Sequence, residues 1–156
     1  MAEIIEGSLQ GEGLKIGLVI SRFNNLVTEK LLEGAKDRLS QLGMNLDHLS
    51  VARVPGAFEL PRGVKAMANR GDLDGIIALG AVVRGETPHF EYVANEASKG
   101  LAQLNMKLDV PVTFGLITAD TMDQALNRAG GKQGNKGVEA SEALVEMINL
   151  EREINQ

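Results

Sequence analysis

The sequence has 156 residues, 44% of them hydrophobic, and no cysteine. It is long enough to bury a core without disulfides, and cysteine-based catalysis or metal binding is excluded. A net charge of −5 argues against nucleic-acid binding, and two histidines leave few options for a transition-metal site. The sequence has no membrane span of roughly 18 apolar residues and no signal-peptide pattern, so we expect a cytoplasmic protein.

Strand-like apolar runs alternate with helix-like patterns along the chain. The nearly continuous apolar run at residues 15–21 predicts a strand that is covered on both faces. Asn24 or Asn25 is a suitable cap for the helix that follows, and Gly43 stands where such a helix ends. A second strand is predicted at residues 49–54, and a helix from residue 59 to about residue 69 comes after it.

The second half of the chain repeats this alternation. A third strand is predicted at residues 74–79, followed by a loop at 80–86 and a helix that Thr87 and Pro88 begin and that extends to about residue 108. The fourth strand is predicted at residues 111–117. Thr121 and Gln124 form a capping box for a short helix, and a final amphipathic helix follows residues 135–137.

Alternating strands and helices imply a parallel sheet with right-handed crossovers. We therefore predict a three-layer α/β/α sandwich of the flavodoxin-like class, in which a central four-stranded parallel sheet carries helices on both faces. The chain is expected to form a single domain of residues 1–156, with an arm at residues 1–13 and a core at residues 14–150. Ligands bind beyond the carboxyl ends of such strands, which directs attention to the residues that follow each strand.

Several residues at these positions have more than one interpretation. The loop before His89 ends at a helix N-terminus, which favours an anion, although a plain capped turn explains it equally well. His89 is a candidate proton shuttle or an ordinary solvated histidine. Phe23 and Phe58 either stack on a planar heterocycle or cap the core.

The segment at residues 128–137 combines glycines with three cations, Arg128, Lys132 and Lys136. This composition is suited to phosphate binding, but no window of the segment fits the P-loop pattern. A flexible, solvated hinge between two helices is the alternative interpretation. Dinucleotide-binding glycine patterns are also absent, so the sequence contains no recognised nucleotide-binding motif.

Five short motifs occur in order along the chain, at residues 21–24 (SRFN), 54–61 (VPGAFELP), 78–90 (ALGAVVRGETPHF), 114–115 (FG) and 128–130 (RAG) with 134–137 (GNKG). Together they resemble the lumazine synthase family from about residue 16 to residue 150. The resemblance implies condensation of 5-amino-6-(ribitylamino)uracil with 3,4-dihydroxy-2-butanone 4-phosphate. The products are 6,7-dimethyl-8-ribityllumazine, phosphate and water, and the family uses no cofactor and no metal.

The resemblance also implies a role for each site residue. His89 is the catalytic proton shuttle. The ribitylamino-uracil is bound by Phe23, which stacks on the pyrimidine ring, and by Ala57, Phe58, Glu59, Ala81, Val82, Val83, Phe114 and Lys136. Phosphate is bound by Glu86 and Thr87, chiefly through main-chain N–H groups, and by Arg128.

The family places its active site between neighbouring subunits of a pentamer, so the resemblance implies that Phe114, Arg128 and Lys136 complete the pocket of the adjacent chain. The uninterrupted hinge at residues 130–137 resembles that of members whose twelve pentamers form an icosahedral shell, and we expect a homo-oligomer of sixty subunits. A riboflavin synthase is a candidate partner, but the sequence does not tell whether a shell encloses it.

Two rival functions are considered. A non-catalytic shell protein of the same fold predicts that the site residues are damaged. A flavin-binding module predicts tight flavin binding without turnover of the two substrates.

Overall fold

Four parallel strands form the central sheet in the computed structural model of the chain, which describes residues 1–156. Their order across the sheet is β2-β1-β3-β4, so that the two strands in the middle are flanked on both sides. The strands are β1 (Ile16–Ser21), β2 (Leu49–Val54), β3 (Gly75–Val83) and β4 (Val112–Ala119).

Helices cover both faces of this sheet. They are α1 (Asn25–Gln41), α2 (Leu60–Ala68), α3 (His89–Lys107), the short α4 (Met122–Asn127) and α5 (Lys136–Ile154). Leu31 of α1 and Leu144 of α5 belong to the apolar cluster on one face, while Val64 of α2 and Leu101 of α3 belong to the cluster on the other. The predicted three-layer sandwich with a four-stranded parallel sheet is therefore confirmed.

The continuous apolar run of β1 serves both clusters at once. Leu18 and Ile20 point into the cluster beneath α1 and α5, whereas Val19 points into the cluster beneath α2 and α3. All six residues of the strand are buried. Since burying a large aliphatic side chain contributes about 1.5–3 kcal/mol, a strand covered on both faces needs apolar residues at successive positions.

The ends of β3 and α3 differ from the sequence prediction. β3 continues through Val83 because its last residues, from Gly80 onward, pair with Leu116 through Ala119 of β4. The loop that was expected to begin at Gly80 therefore begins at Arg84. At the start of α3 the cap position is occupied by Pro88, one residue later than expected, and no side chain caps the helix.

Asn24 precedes α1 as predicted but does not cap it with its side chain. Its backbone is left-handed, with a φ of 64°, a conformation that asparagine adopts more readily than most residues. The side-chain amide instead donates to the carbonyl oxygen of Ala81 at 3.1 Å. A long-range contact to β3 has replaced the expected local hydrogen bond.

The connection between α4 and α5 is a small antiparallel hairpin, formed by β5 (Ala129–Gly131) and β6 (Gly134–Asn135). Gly130 and Gly134 have φ values of 111° and 86°, which glycine adopts without strain. The expected cap of α4 is present, because Thr121 Oγ1 accepts from the backbone N–H of Gln124 at 3.1 Å.

The residues before Leu14 lie on the surface and contact α5. The side-chain amide of Asn149 donates to the carbonyl oxygens of Ser8 at 2.9 Å and Gln10 at 3.0 Å. Gly7 runs so close to α5 that a Cβ there would overlap with the backbone of Glu146. None of the helices combines the length and the apolar character needed to cross a membrane.

Candidate active site

The carboxyl ends of β1, β2 and β3 open onto a cavity of about 560 Å³, which the first turn of α3 closes on one side. This is the edge of a parallel sheet at which ligands bind. The lining is mainly apolar with a few polar groups, as is typical of small-molecule sites. It consists of Phe23, Asn24, Pro55, Gly56, Ala57, Phe58, Glu59, Ala81, Val82, Val83, His89, Phe90, Tyr92 and Val93.

Hydrogen bonds between the strand exits hold the floor of this cavity. The backbone N–H of Phe23 donates to the carbonyl oxygen of Pro55 at 3.0 Å and so extends the pairing of β1 with β2. The bond from Asn24 to Ala81 connects β1 to β3 on the other side. Because the three strand ends are bonded to one another, the side chains that they present have fixed relative positions.

Three large aromatic side chains surround the cavity and are exposed to solvent. The exposed fractions are 71% for Phe23, 59% for Phe58 and 68% for Tyr92. The interpretation of Phe23 and Phe58 as core caps is therefore wrong. Exposed apolar side chains gathered around one concave surface are typical of a binding site rather than of ordinary surface, and their faces are suited to a flat heterocycle.

Glu59 brings a carboxylate into this apolar setting. Its backbone N–H donates to the carbonyl oxygen of Gly56 at 3.1 Å, which closes the turn after β2. A Cβ at Gly56 would lie 3.4 Å from Glu59 Oε1 and 4.0 Å from the Cβ of Phe23, so this turn brings the carboxylate close to Phe23. An ionised carboxylate is an acceptor only, and this one is placed to receive hydrogen bonds from hydroxyl groups of a ligand.

His89 is the first residue of α3 and is exposed where it lines the cavity. Its backbone N–H makes a long contact of 3.5 Å to Thr87 Oγ1. Glu86 and Thr87 are exposed in the loop before the helix and lie outside the cavity lining. The loop therefore leads to the N-terminus of a 19-residue helix, where free N–H groups and the helix dipole favour an anion.

Arg128 lies in a second, more polar cavity of about 590 Å³ beyond the ends of β3 and β4. Phe90 lines this cavity as well as the first, so the two are neighbours that share a wall. Arg128 is thus close to the apolar cavity but does not line it. The remaining lining residues are Arg84, Thr118, Ala119, Asp120, Gln124, Asn127 and Gln133.

Arg84 joins the end of β3 to β4 and to α3. Its guanidinium donates to Asp120 at 2.8 Å, lies 3.6 Å from Glu91 and sits 4.6 Å from the ring centroid of Phe90. The hydrogen bond to Asp120 raises the pKa of Arg84 above its ordinary value, and the charges of Asp120 and Glu91 act in the same direction. Arg84 therefore stays protonated and is already paired with carboxylates of its own chain.

Phe114 and Lys136 are separated from both cavities within one chain. They line a third cavity of about 560 Å³ at the free edge of β4, between α3 and α5. Phe114 is 48% exposed there although it belongs to the central sheet. One chain thus brings His89 together with the predicted residues that follow β1 and β2 and those at the end of β3, whereas Phe114, Lys136 and Arg128 line other cavities.

Comparison with known proteins identifies the family. The family model described as 6,7-dimethyl-8-ribityllumazine synthase matches residues 13–152. The chain belongs to this family. It is 55% identical over 151 residues to the 6,7-dimethyl-8-ribityllumazine synthase of Kosmotoga olearia, with 97% of both chains covered, and 54% identical over 151 residues to that of Nautilia profundicola, with 96% of this chain and 98% of the relative covered.

Two lining residues of this family member, Tyr92 and Val93, lie outside every motif and candidate named from the sequence. Tyr92 and Val93 follow His89 by three and four positions, so all three lie on one face of α3; this spacing is a signal that the sequence does contain. Asn24 belongs to the first motif (residues 21–24) and was expected to cap a helix, but its hydrogen-bond partner was not predicted. Its contact with Ala81 joins residues that are 57 positions apart, and no local pattern predicts such a contact.

No group of three or more histidine, aspartate or glutamate side chains is arranged to hold a metal ion. The polar groups that the apolar cavity offers are the amide of Asn24, the carboxylate of Glu59, the imidazole of His89 and the phenol of Tyr92. These groups can bind hydroxyls and transfer protons. The chemistry that they suit is orientation of a heterocycle combined with acid–base catalysis.

Proposed function

We propose that the chain catalyses the condensation of 5-amino-6-(ribitylamino)uracil with 3,4-dihydroxy-2-butanone 4-phosphate to 6,7-dimethyl-8-ribityllumazine. The observation that carries the proposal is the exposed aromatic cavity at the strand ends, with Glu59 inside it and His89 in its lining, in a member of this family. The apolar cavity is suited to the flat pyrimidine ring, and the Glu59 carboxylate is suited to accept hydrogen bonds from the hydroxyls of the ribityl chain. His89 is suited to carry protons between the reacting groups.

The ribitylamino-uracil occupies the apolar cavity. Its pyrimidine ring stacks on Phe23, and the backbone and side chains of Ala81, Val82 and Val83 line the ring pocket. The ribityl chain lies along the turn after β2, where Ala57, Phe58 and Glu59 hold it and the Glu59 carboxylate accepts hydroxyl hydrogen bonds. Support for this placement comes from the exposure of Phe23 and from the position of Glu59 in the cavity lining.

The phosphate of the second substrate binds at the start of α3. Glu86 and Thr87 contribute main-chain N–H groups, and the Glu86 carboxylate points away because it would repel the anion. Arg128 of an adjacent subunit supplies a guanidinium, which binds phosphate in a planar, bidentate manner. Arg84 is not assigned this role, since its charge is already shared with Asp120 and Glu91.

His89 transfers protons between the reacting groups. The 5-amino nitrogen attacks the ketone carbon, and loss of water from the adduct gives an imine. A carbon–hydrogen bond next to the imine then breaks as phosphate departs with the carbon–oxygen electron pair, and the resulting enol takes up a proton at its terminal carbon to become a ketone. The ribityl-bearing nitrogen attacks this ketone carbon, and loss of a second water closes the second ring. Each step moves a proton on or off nitrogen, oxygen or carbon, and an imidazole can accept a proton in one step and return it in the next.

The site is completed by a neighbouring subunit. Phe114 and Lys136 lie at the free edge of β4, and with Arg128 they reach the cavity of the next chain in a pentamer. Twelve such pentamers form a shell of sixty subunits. The protein is cytoplasmic.

Analytical ultracentrifugation or native mass spectrometry tests the assembly. A protein that remains a free pentamer across physiological pH and salt contradicts the shell. Co-sedimentation with a riboflavin synthase tests whether the shell holds that partner.

The activity is tested by mixing the purified protein with both substrates and following lumazine by its absorbance and fluorescence. The expected result is formation far above the rate of the same mixture without protein. A folded, assembled protein that gives no enhancement refutes the proposal and favours a shell protein without activity. Tight flavin binding in the same preparation would instead favour the flavin-binding module.

A further inference from the structure

Arg128 and Lys136 are held together by the backbone between them. The N–H of Lys136 donates to the carbonyl oxygen of Arg128 at 2.9 Å, and the N–H of Gln133 donates to the carbonyl oxygen of Asn127 at 2.8 Å. The β5–β6 hairpin closes the segment between these bonds. The two cations therefore move as one unit, which we call the cation hairpin, residues 128–136.

Asn135 fastens the cation hairpin to α1. Its Nδ2 donates to the carbonyl oxygen of Lys30 at 3.2 Å, and its Oδ1 accepts from the N–H groups of Gly137 at 2.8 Å and Val138 at 3.2 Å. A carbonyl oxygen has two lone pairs, so Lys30 can accept this bond in addition to a helical one. One side chain thus both caps α5 and attaches it to the middle of α1.

Two glycines leave space for this attachment. A Cβ at Gly34 of α1 would lie 2.5 Å from Asn135 Nδ2 and 2.7 Å from its Oδ1, which is closer than real Cβ contacts allow. A Cβ at Gly137 would overlap with the carbonyl oxygen of Leu31. Glycine in a helix interior is unfavourable, so its presence at position 34 is accounted for by the asparagine that occupies the gap.

We infer that Asn135 is a positioning residue for Arg128 and Lys136, setting where the cation hairpin presents them by docking its amide on Lys30 and Gly34 of α1. The inference rests on the proposed function, in which these two cations reach the pocket of the adjacent subunit. Asn135 itself points toward α1 and lines none of the three site cavities. Its contribution is to fix the backbone from which the two charged side chains extend.

Two substitutions separate docking from capping. Asn135→Asp keeps an oxygen for the N–H groups of Gly137 and Val138, but it loses the donor and places a carboxylate oxygen against the Lys30 carbonyl. Gly34→Ala pushes on the same amide from α1 and changes no group of the hairpin. Asn45→Ala is the matched control, since Asn45 Oδ1 also caps a turn, accepting from the N–H of Asp47 at 2.9 Å, and lines none of the three site cavities.

The expected result is a KM for the phosphate substrate that rises about threefold to tenfold in Asn135→Asp and Gly34→Ala, the effect of one lost hydrogen bond. The kcat changes less than the KM, and Asn45→Ala behaves as wild type. Hydrogen exchange followed by mass spectrometry serves as a readout that needs no turnover: peptides covering residues 128–136 exchange faster in both variants, while peptides from β1 do not.

The outcomes distinguish the two proposals. A wild-type protein that forms no lumazine refutes the proposed function. An active wild type whose two variants keep the wild-type KM and the wild-type exchange of residues 128–136 overturns the role of Asn135. A fall in kcat with unchanged KM also overturns it, because that pattern indicates general damage and not displaced charges. If Gly34→Ala does not fold, Asn135→Asp decides alone.

Discussion

Truncation of Phe23 should weaken binding of the ribitylamino-uracil without destabilising the chain. The side chain is 71% exposed, so Phe23→Ala removes little from the core, and its effect on the free energy of unfolding should stay within about 0.5 kcal/mol. Stacking of a base on an aromatic ring contributes about 1–3 kcal/mol. The KM for the uracil substrate should therefore rise roughly 5- to 150-fold.

The assay is steady-state lumazine formation with each substrate varied in turn at saturating concentrations of the other. Phe23→Tyr keeps an aromatic face and should retain most of the affinity. Leu26→Ala is a matched control, because Leu26 is 57% exposed on the first turn of α1 and lies outside the cavity lining. Thermal unfolding of all three variants establishes that the protein remains folded.

Two results would refute the reasoning about Phe23. An unchanged KM for the uracil substrate in Phe23→Ala would mean that the ring binds elsewhere. An equal rise in the KM of the phosphate substrate would mean that the substitution disturbs the whole site and that stacking is not what was lost.

Three further predictions concern the proton carrier, the phosphate clamp and the packing of α5. His89→Ala should lower kcat by about 10²- to 10⁴-fold, the usual contribution of a general acid–base, with both KM values nearly unchanged; loss of affinity without loss of kcat would contradict its role. Arg128→Ala should raise the KM of the phosphate substrate about 10-fold or more, as expected for a charge-assisted hydrogen bond. Arg128→Lys should recover only part of the affinity for this substrate, because an ammonium lacks the planar fork of a guanidinium. Equal KM values in the wild type and both variants would exclude phosphate binding by Arg128. Gly137→Ala should lower the free energy of unfolding by about 1–3 kcal/mol, because the added Cβ overlaps with the Leu31 carbonyl oxygen. An unchanged Tm in a thermal scan would show that α1 and α5 can move apart without cost.

The layers of the fold follow from short-range patterns. β1 is predicted as a buried strand because its apolar residues contribute to clusters on both faces of the sheet, and each of the four longer helices carries a buried stripe at helical spacing. Once the elements alternate, the handedness of parallel crossovers brings the strand exits to one edge. Phe23, Glu59 and His89 could therefore be expected near one another from their positions after strands.

The lengths of elements and the partners of polar side chains depend on residues far away in sequence. β3 reaches Val83 because β4 pairs with it there, and residue preferences near position 80 carry no information about that partner. Asn24 bonds to Ala81 instead of capping its own helix, since the fold brings a buried carbonyl within reach of its amide. Arg84 likewise finds Asp120 only when β4 lies beside β3.

The division of the site between three surfaces is the clearest example of what the tertiary structure decides. The sequence by itself determined the family and the sheet, and it named the residues that are proposed to carry the chemistry, because these depend on residue type and local order. That Phe114 and Lys136 stand apart from His89 of the same chain was implied only by the family resemblance, and no sequence pattern placed them at the free edge of β4. That separation follows from strand order, which is set by the packing of the two apolar clusters and by hydrogen bonds between strands distant in sequence.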